Sequence, residues 1–130
     1  MATGRTGAQT LQQQRAAYAM GEVTRLLGNE QKSREEFKTC ATSLPAMIRM
    51  NGLGQAAAYC HSQSGRWPEM YELLSGWLIQ PGQPYAGKSK LLTGIIECDM
   101  HAYRIAQAEA LLLLDWVKKF AKAQVRESTP

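Results

Sequence analysis

Valine and isoleucine are scarce in this sequence, which has 3 Val and 5 Ile against 17 Ala and 14 Leu. The strands of buried parallel sheets are rich in Val and Ile, so this scarcity disfavours such a sheet. Ala and Leu have high helix propensity, and the composition therefore favours an all-α protein. The 130 residues, 45% hydrophobic and 20% charged, have the size and balance of one globular domain rather than of a disordered or fibrous chain.

Cysteine and histidine are also few, and their spacing disfavours a disulfide framework, a zinc site and a catalytic Cys-His pair. The three cysteines, Cys40, Cys60 and Cys98, are widely spaced and odd in number, which argues against a disulfide framework and indicates reduced thiols. Cys98 and His101 have half of a zinc-ligand spacing, but no second pair completes it. Cys60 and His61 would point about 100° apart on a helix, so they cannot pair directly as nucleophile and base. We therefore predict no metal, no cofactor and no enzymatic activity.

Long apolar segments are missing as well. The longest strongly apolar run, residues 110–114, is far shorter than the roughly 20 residues of a membrane span. Residues 1–10 lack the apolar core of a secretory signal, so a cytoplasmic protein without membrane contact is expected. The 15 basic and 11 acidic residues give a net charge of +4, which permits contact with phosphates without requiring it.

Apolar residues recur at three- and four-residue steps along most of the chain, a spacing typical of amphipathic helices. In the second predicted helix, Phe37, Cys40 and Leu44 share one face in this way. We predict a single helical domain over residues 1–130, a compact bundle of about six helices with frayed ends at 1–8 and 127–130. Pro45 should kink or break the second helix, and Gly52 should end it. The helices are expected near residues 8–27, 32–50, 53–64, 89–98 and 100–125, with another that begins at about Pro68.

Residues 82–89 (GQPYAGKS) match the GxxxxGKS pattern of a phosphate-binding P-loop, and residues 111–115 (LLLLD) resemble its Walker B partner. Three features contradict this interpretation. A P-loop follows a buried strand, whereas the residues before 82 have a helical pattern. Pro84 removes a backbone N–H from the phosphate cradle, and LLLLD lies within a helical stripe. We therefore interpret residues 82–89 as a loop that connects two helices.

Basic residues lie on the polar sides of three predicted helices, and two interpretations of them stay open. They can serve solubility and complement a helix dipole, as Lys118 and Lys122 would near the end of the last helix. They can also form a groove for the phosphate backbone of a nucleic acid. The positions are Arg15 and Arg25 in the first helix, Arg34, Lys38 and Arg49 in the second, and Lys118, Lys119 and Lys122 in the last.

Several segments, taken in order, resemble a known family. They are Phe37-Lys38-Thr39, LPAMIRMNGLGQA at 44–56, Asp99 and Tyr103 four residues apart, Glu109-Ala110-Leu111, and DWVKKFA at 115–121. Each is modest alone, but together they cover residues 10–125. In this order they are similar to the small subunit, the fifth Cmr subunit, of the type III-B (Cmr) CRISPR RNA-silencing complex. Lys119 stands where that family often has Arg, which keeps the charge.

The resemblance implies an all-helical, non-catalytic subunit that stacks in a few copies beside the filament of crRNA-binding backbone subunits. Its expected partners are the backbone subunit, neighbouring copies of the small subunit, target RNA and crRNA, and the cleavage residues would belong to the backbone subunit. With the net charge and the polar placement of the basic residues, it yields a set of RNA-binding candidates: Arg15, Arg25, Arg49, Lys118, Lys119 and Lys122. The alternative is a free-standing helical protein that binds nucleic acid or acts as an adaptor.

Overall fold

The computed structural model describes residues 8–128 as a bundle of helices, with side chains described up to residue 126. The helices are α1 (Leu11–Leu27), α2 (Gln31–Ser62), α3 (Trp67–Leu78), α4 (Leu91–Glu97) and α5 (Met100–Ser128). These residues contain no β-strand, so the all-α prediction is confirmed, and five helices stand close to the six expected. The frayed ends predicted at 1–8 and 127–130 lie mostly outside the described residues, although 127 and 128 belong to α5.

Helix α2 departs from helical backbone angles at Gly52 and not at Pro45. Gly52 has φ 87° and ψ 158°, and such a positive φ favours glycine. The predicted helix end at this glycine therefore coincides with a real break, which divides α2 into the two helices expected there. A kink or a break is predicted at Pro45, and no break occurs there, because helical angles continue through that residue. Proline removes one hydrogen bond from a helix, but Pro45 is buried, and packing against the core offsets this loss.

Side chains of α5 satisfy the backbone groups that the break at Gly52 leaves free. The N–H of Leu53 donates to Oε1 of Gln107 at 2.9 Å, and the N–H of Gly54 donates to the Tyr103 hydroxyl at 2.8 Å. The first N–H groups of a helix have no intrahelical acceptor, so these two side chains act as caps supplied by another helix. The approach is close, since a Cβ at Gly52 would lie 3.0 Å from the Tyr103 hydroxyl.

Tyr103→Phe is expected to lower the free energy of unfolding by about 1 kcal/mol, because it keeps the ring and leaves the Gly54 N–H without its acceptor. Urea unfolding followed by far-UV circular dichroism would measure this loss. Tyr59→Phe is the matched control, since the Tyr59 side chain is exposed and its hydroxyl meets no acceptor among the described residues. A Tyr103→Phe variant as stable as the wild type would contradict the capping role.

Helices α2 and α5 form the centre of the bundle and run antiparallel. Arg34, near the start of α2, donates to the carbonyl of Gln124, near the end of α5, at 3.1 Å, whereas Leu53 meets Gln107 closer to the other end. Helix α1 packs along α5, and α3 packs on α2. None of the described helices is long and apolar enough to cross a membrane. The fully buried core side chains include Phe37, Ile48, Leu74, Leu113 and Val117.

Arg66 joins the end of α1 to the starts of α2 and α3. Its guanidinium donates to the carbonyl oxygens of Leu26 and Ser33 and to the carboxylate of Glu69. It also lies 5.1 Å from the centre of the Phe37 ring, within range of a cation–π contact. A cation at the C-terminal end of α1 is favourable because it faces the negative end of the helix dipole.

Tyr85 anchors the loop between α3 and α4. Its side chain is buried, and its N–H donates to the carbonyl of Leu78 at 3.0 Å. The ring packs so closely on Gly94 that a Cβ there would lie 2.5 Å from it. The chain before the loop is helix α3, and residues 111–115 lie within α5, so the predicted helix-connecting loop is confirmed. The Lys88 ammonium pairs with the Glu97 carboxylate at 2.9 Å.

Lys88→Ala should leave the midpoint of thermal unfolding close to that of the wild type, because the pair with Glu97 is a surface contact. The same variant should show no change in ATP affinity, because the loop that contains Lys88 follows a helix and not the strand that precedes a phosphate cradle. Calorimetric titration with ATP would check this. Saturable micromolar binding by the wild type that disappears in the variant would contradict the interpretation of the loop.

Candidate nucleic-acid interface

The basic side chains divide into those held by ion pairs and those that are free. Arg25 pairs with Glu22, Lys38 with Glu35, and Lys119 with Asp115, all at the surface. Surface pairs of this kind are weak and screened by salt, so they leave the cation available to a stronger anion. Several other exposed or half-buried cations form no ion pair or hydrogen bond within the described residues: Lys32, Arg49, Lys90, Arg104, Lys118, Lys122 and Arg126.

Arg15 differs from the other candidates because it is buried. Its Nε and a terminal nitrogen donate to the two carboxylate oxygens of Glu109 at 2.6 and 2.9 Å, and the Trp77 indole N–H donates to the same carboxylate at 2.8 Å. The hydrogen bond to Glu109 raises the pKa of the guanidinium. The prediction that Arg15 lies on a polar face is therefore wrong: Arg15 is buried and ties α1 to α5.

Two rows of cations flank the seam between α2 and α5. On α5, Lys118 is about three turns beyond Gln107, which contacts α2. Lys122 lies about one turn after Lys118, and Arg104 lies about four turns before Lys118. On α2, Lys38 is one turn beyond Arg34, which contacts α5, and Arg49 lies about three turns further. Both rows therefore border the same seam on the outside of the bundle. We call this surface the cationic edge: Lys38, Arg49, Arg104, Lys118 and Lys122.

The other lysine and arginine candidates lie beside the cationic edge or away from it. Lys119 and Lys122 line a shallow depression of about 260 Å³ with Ala123 and Arg126, on the outer face of α5. Lys119 thus lies beside Lys122 of the cationic edge, whereas Arg25 lies on α1. Arg104 and Arg126 were missing from the basic positions noted in the sequence, and Lys38, which was noted there, was not among the six RNA-binding candidates. The helical spacing of Arg104, Lys118 and Lys122 is the signal that could have found Arg104.

Two of the three cysteines lie in the core, where thiols act as small apolar groups. Cys40 and Cys60 are buried in the core, and burial raises the pKa of their thiols to about 11 and about 12. A thiol with a pKa this high is protonated at neutral pH and is a poor nucleophile. Among the described residues, no three His, Cys, Asp or Glu side chains gather into a group that could hold a metal ion.

Comparison with known proteins decides the family. The model of the CRISPR-associated protein (Cas_Cmr5) family matches residues 11–124, almost all of the described chain. The chain belongs to the Cmr5 family. It is 30% identical over 96 residues to the CRISPR system Cmr subunit Cmr5 of Thermus thermophilus, over 74% of this chain and 81% of that protein. It is also similar to the crystal structure of a CRISPR-associated Cmr5 family protein from the same organism, with a TM-score of 0.72 and 26% identity over 88% of this chain and 97% of that one.

The segments that resemble the Cmr5 family mostly build the fold of this chain. Gly52 forms the break in α2, Tyr103 caps that break, and Glu109 holds Arg15. Trp116 and Phe120 stack on each other at 5.5 Å between ring centres and pack against the core. Family membership therefore accounts for the architecture, and three of the five residues of the cationic edge, Lys38, Arg49 and Lys118, also lie within these segments.

Proposed function

We propose that this Cmr5 family member is a non-catalytic small subunit of a type III-B CRISPR (Cmr) effector complex and helps to hold target RNA for antiviral defence. Several copies would stack in the cytoplasm beside the crRNA-bound filament of backbone subunits, which would supply the cleavage residues. Support comes from the family and from the relative named a Cmr subunit. The observation that carries the RNA-holding role is the cationic edge, four of whose five side chains have no carboxylate partner within the described residues.

The cationic edge suits a phosphate backbone in length and in chemistry. From Arg104 to Lys122 the α5 row extends roughly 27 Å, at about 1.5 Å per helical residue, which is long enough to accompany several nucleotides. Contacts to phosphates carry no sequence information, so base pairing with the guide would supply the specificity. One copy offers few charges and should bind RNA weakly, while stacked copies would add their contacts.

Assembly of the complex with and without this chain is the experiment that tests the proposal. The chain should co-purify with other Cmr proteins and a crRNA. The complex that contains it should bind target RNA more tightly, with a steeper dependence of affinity on salt than the complex without it. A chain that purifies alone and binds nucleic acid by itself would instead be a free-standing nucleic-acid-binding protein. Equal RNA affinity and equal salt dependence of the two complexes would remove the RNA-holding role.

A further inference from the structure

An open groove of about 770 Å³ lies on α2, on both sides of the break at Gly52. It is lined by Met47, Met50, Asn51, Gln55 and Tyr59. Met50 stands out because its side chain is 82% exposed, the highest value among the large apolar residues described. None of the structural features assigned so far uses this groove.

The lining of the groove combines flat or soft apolar surfaces with free hydrogen-bonding groups, and none of its side chains is charged. The amides of Asn51 and Gln55 and the hydroxyl of Tyr59 have no hydrogen-bond partner among the described residues, so both donors and acceptors are available. The Tyr59 ring is held edge-on by Trp67, with ring centres 5.3 Å apart. The two methionines offer polarizable thioethers that pack well against rings.

This chemistry fits a nucleobase better than a phosphate or an apolar peptide. A nucleobase presents a flat face for stacking and an edge of donors and acceptors, and proteins read single-stranded RNA through both. A phosphate would need cations, which the groove lacks. An apolar peptide segment would bury the two amides without satisfying them, which is unfavourable.

The groove is also placed beside the cationic edge. Arg49, a member of the edge, directly precedes Met50, and on a helix the two side chains point about 100° apart. A phosphate at Arg49 and a ring in the groove would thus be separated by part of the helix circumference, roughly 10 Å, a distance that one nucleotide can bridge. Arg49 is exposed and makes no ion pair within the described residues.

We propose that the α2 groove binds a base of single-stranded RNA whose phosphates lie on the cationic edge. This inference rests on the proposed function and adds to it that the held RNA is unpaired at this point, with a base turned toward the protein. Binding by stacking on Tyr59 and by the amides of Asn51 and Gln55 tolerates different bases, since every base has a face and a polar edge.

Photo-crosslinking tests the position of the base. The full chain, free and in the assembled complex, would be irradiated with a single-stranded oligouridylate that contains thiouridine. Crosslinked peptides should map to residues 47–59. Crosslinks confined to α5, with none in residues 47–59, would overturn the inference.

Affinity measurements on the assembled complex separate the groove from the phosphate contacts. Gln55→Ala/Tyr59→Leu should weaken binding of single-stranded target RNA at least about fivefold and leave the salt dependence unchanged, because stacking releases no counterions. Lys118→Ala/Lys122→Ala, outside the groove, should flatten the slope of log K against log salt by about 1.4 for each copy that contacts the RNA. Met50→Ala should weaken binding without any risk to the core, and Ile96→Ala, which removes a 79% exposed side chain outside the groove, is its matched control.

Each pattern of results has one meaning. Groove variants with wild-type affinity, beside a flattened slope for the lysine variant, would overturn this inference and leave the proposed function standing. An unchanged slope for the lysine variant would overturn both. Groove variants that fold but no longer join the complex would show that a protein neighbour occupies the groove, and the inference would be wrong.

Discussion

Glu109→Ala is expected to destabilise the fold by about 3–5 kcal/mol, the usual consequence of removing one partner from a buried ion pair. Glu109 accepts two hydrogen bonds from Arg15 and one from the Trp77 indole, and the side chains of the pair are about nine-tenths buried. Removal of the carboxylate would leave the guanidinium charged and the indole N–H unpaired in the interior. The loss would loosen α1 and α3 from α5 together, because the three residues belong to these three helices.

The pair also gives the stability of the fold a dependence on pH. Burial alone would raise the pKa of Glu109, but the hydrogen bonds from Arg15 and Trp77 and the charge of Arg15 outweigh it and lower the pKa. The folded-state pKa therefore lies below the unfolded value of about 4.3. The stabilisation is complete above that unfolded value and is lost as the pH falls through the folded pKa. The stability gap between wild type and Glu109→Ala should accordingly narrow on acidification.

Urea unfolding of three variants would test this role. Asp115→Ala is the matched control on the same helix, since it removes a carboxylate from an exposed pair with Lys119 and should cost less than about 1 kcal/mol. The double variant Arg15→Met/Glu109→Leu should be more stable than Glu109→Ala, because no unpaired charge stays buried. A Glu109→Ala variant within about 1 kcal/mol of the wild type would contradict the assignment.

Local patterns were sufficient to predict the helices, because apolar spacing reports which residues face the core. They were insufficient at Pro45, where a local cost is outweighed by tertiary packing that the pattern does not contain. At Gly52 the local pattern predicted the break correctly but not the contacts that stabilise it. Its type suggested a helix end, but the caps from Tyr103 and Gln107 come from a helix about 50 residues away in sequence and were not predictable from the neighbouring residues.

The candidate site was harder to predict, because its residues are brought together by contacts between distant parts of the sequence. Arg15 shares a stripe with the buried residues Ala19 and Val23, four and eight positions later, so its burial had a local signal. Its partner Glu109, however, is 94 residues away, and only the fold brings them together. Arg66 likewise joins three helix ends through contacts with residues up to 40 positions distant. The grouping of Lys38 and Arg49 with Lys118 and Lys122 required the antiparallel packing of α2 and α5.

Arg49→Ala/Lys118→Ala/Lys122→Ala should weaken target-RNA binding by the assembled complex at least about 100-fold at about 0.1 M salt, the loss expected from one copy, because every copy carries the substitutions. Each contact to a phosphate of a single strand contributes about 0.7 to the slope of log K against log salt, so three contacts contribute about 2. The slope should flatten by that amount for each copy that contacts the RNA, and the loss of affinity should shrink as salt is added. The folding of the variant should stay near normal, because the three side chains make no hydrogen bond or ion pair within the described residues.

The control for this variant is Lys32→Ala/Lys90→Ala, which removes two exposed and unpaired cations outside the cationic edge. It should leave the slope close to that of the wild type, since a distant charge is screened over about 10 Å at 0.1 M salt. Circular dichroism and co-purification would first confirm that both variants fold and join the complex. Flattening in proportion to the number of cations removed, three against two, would attribute the effect to net charge alone. An unchanged slope in the triple variant would leave its three cations with solubility and helix-end roles, since phosphates cannot be bound there without releasing counterions.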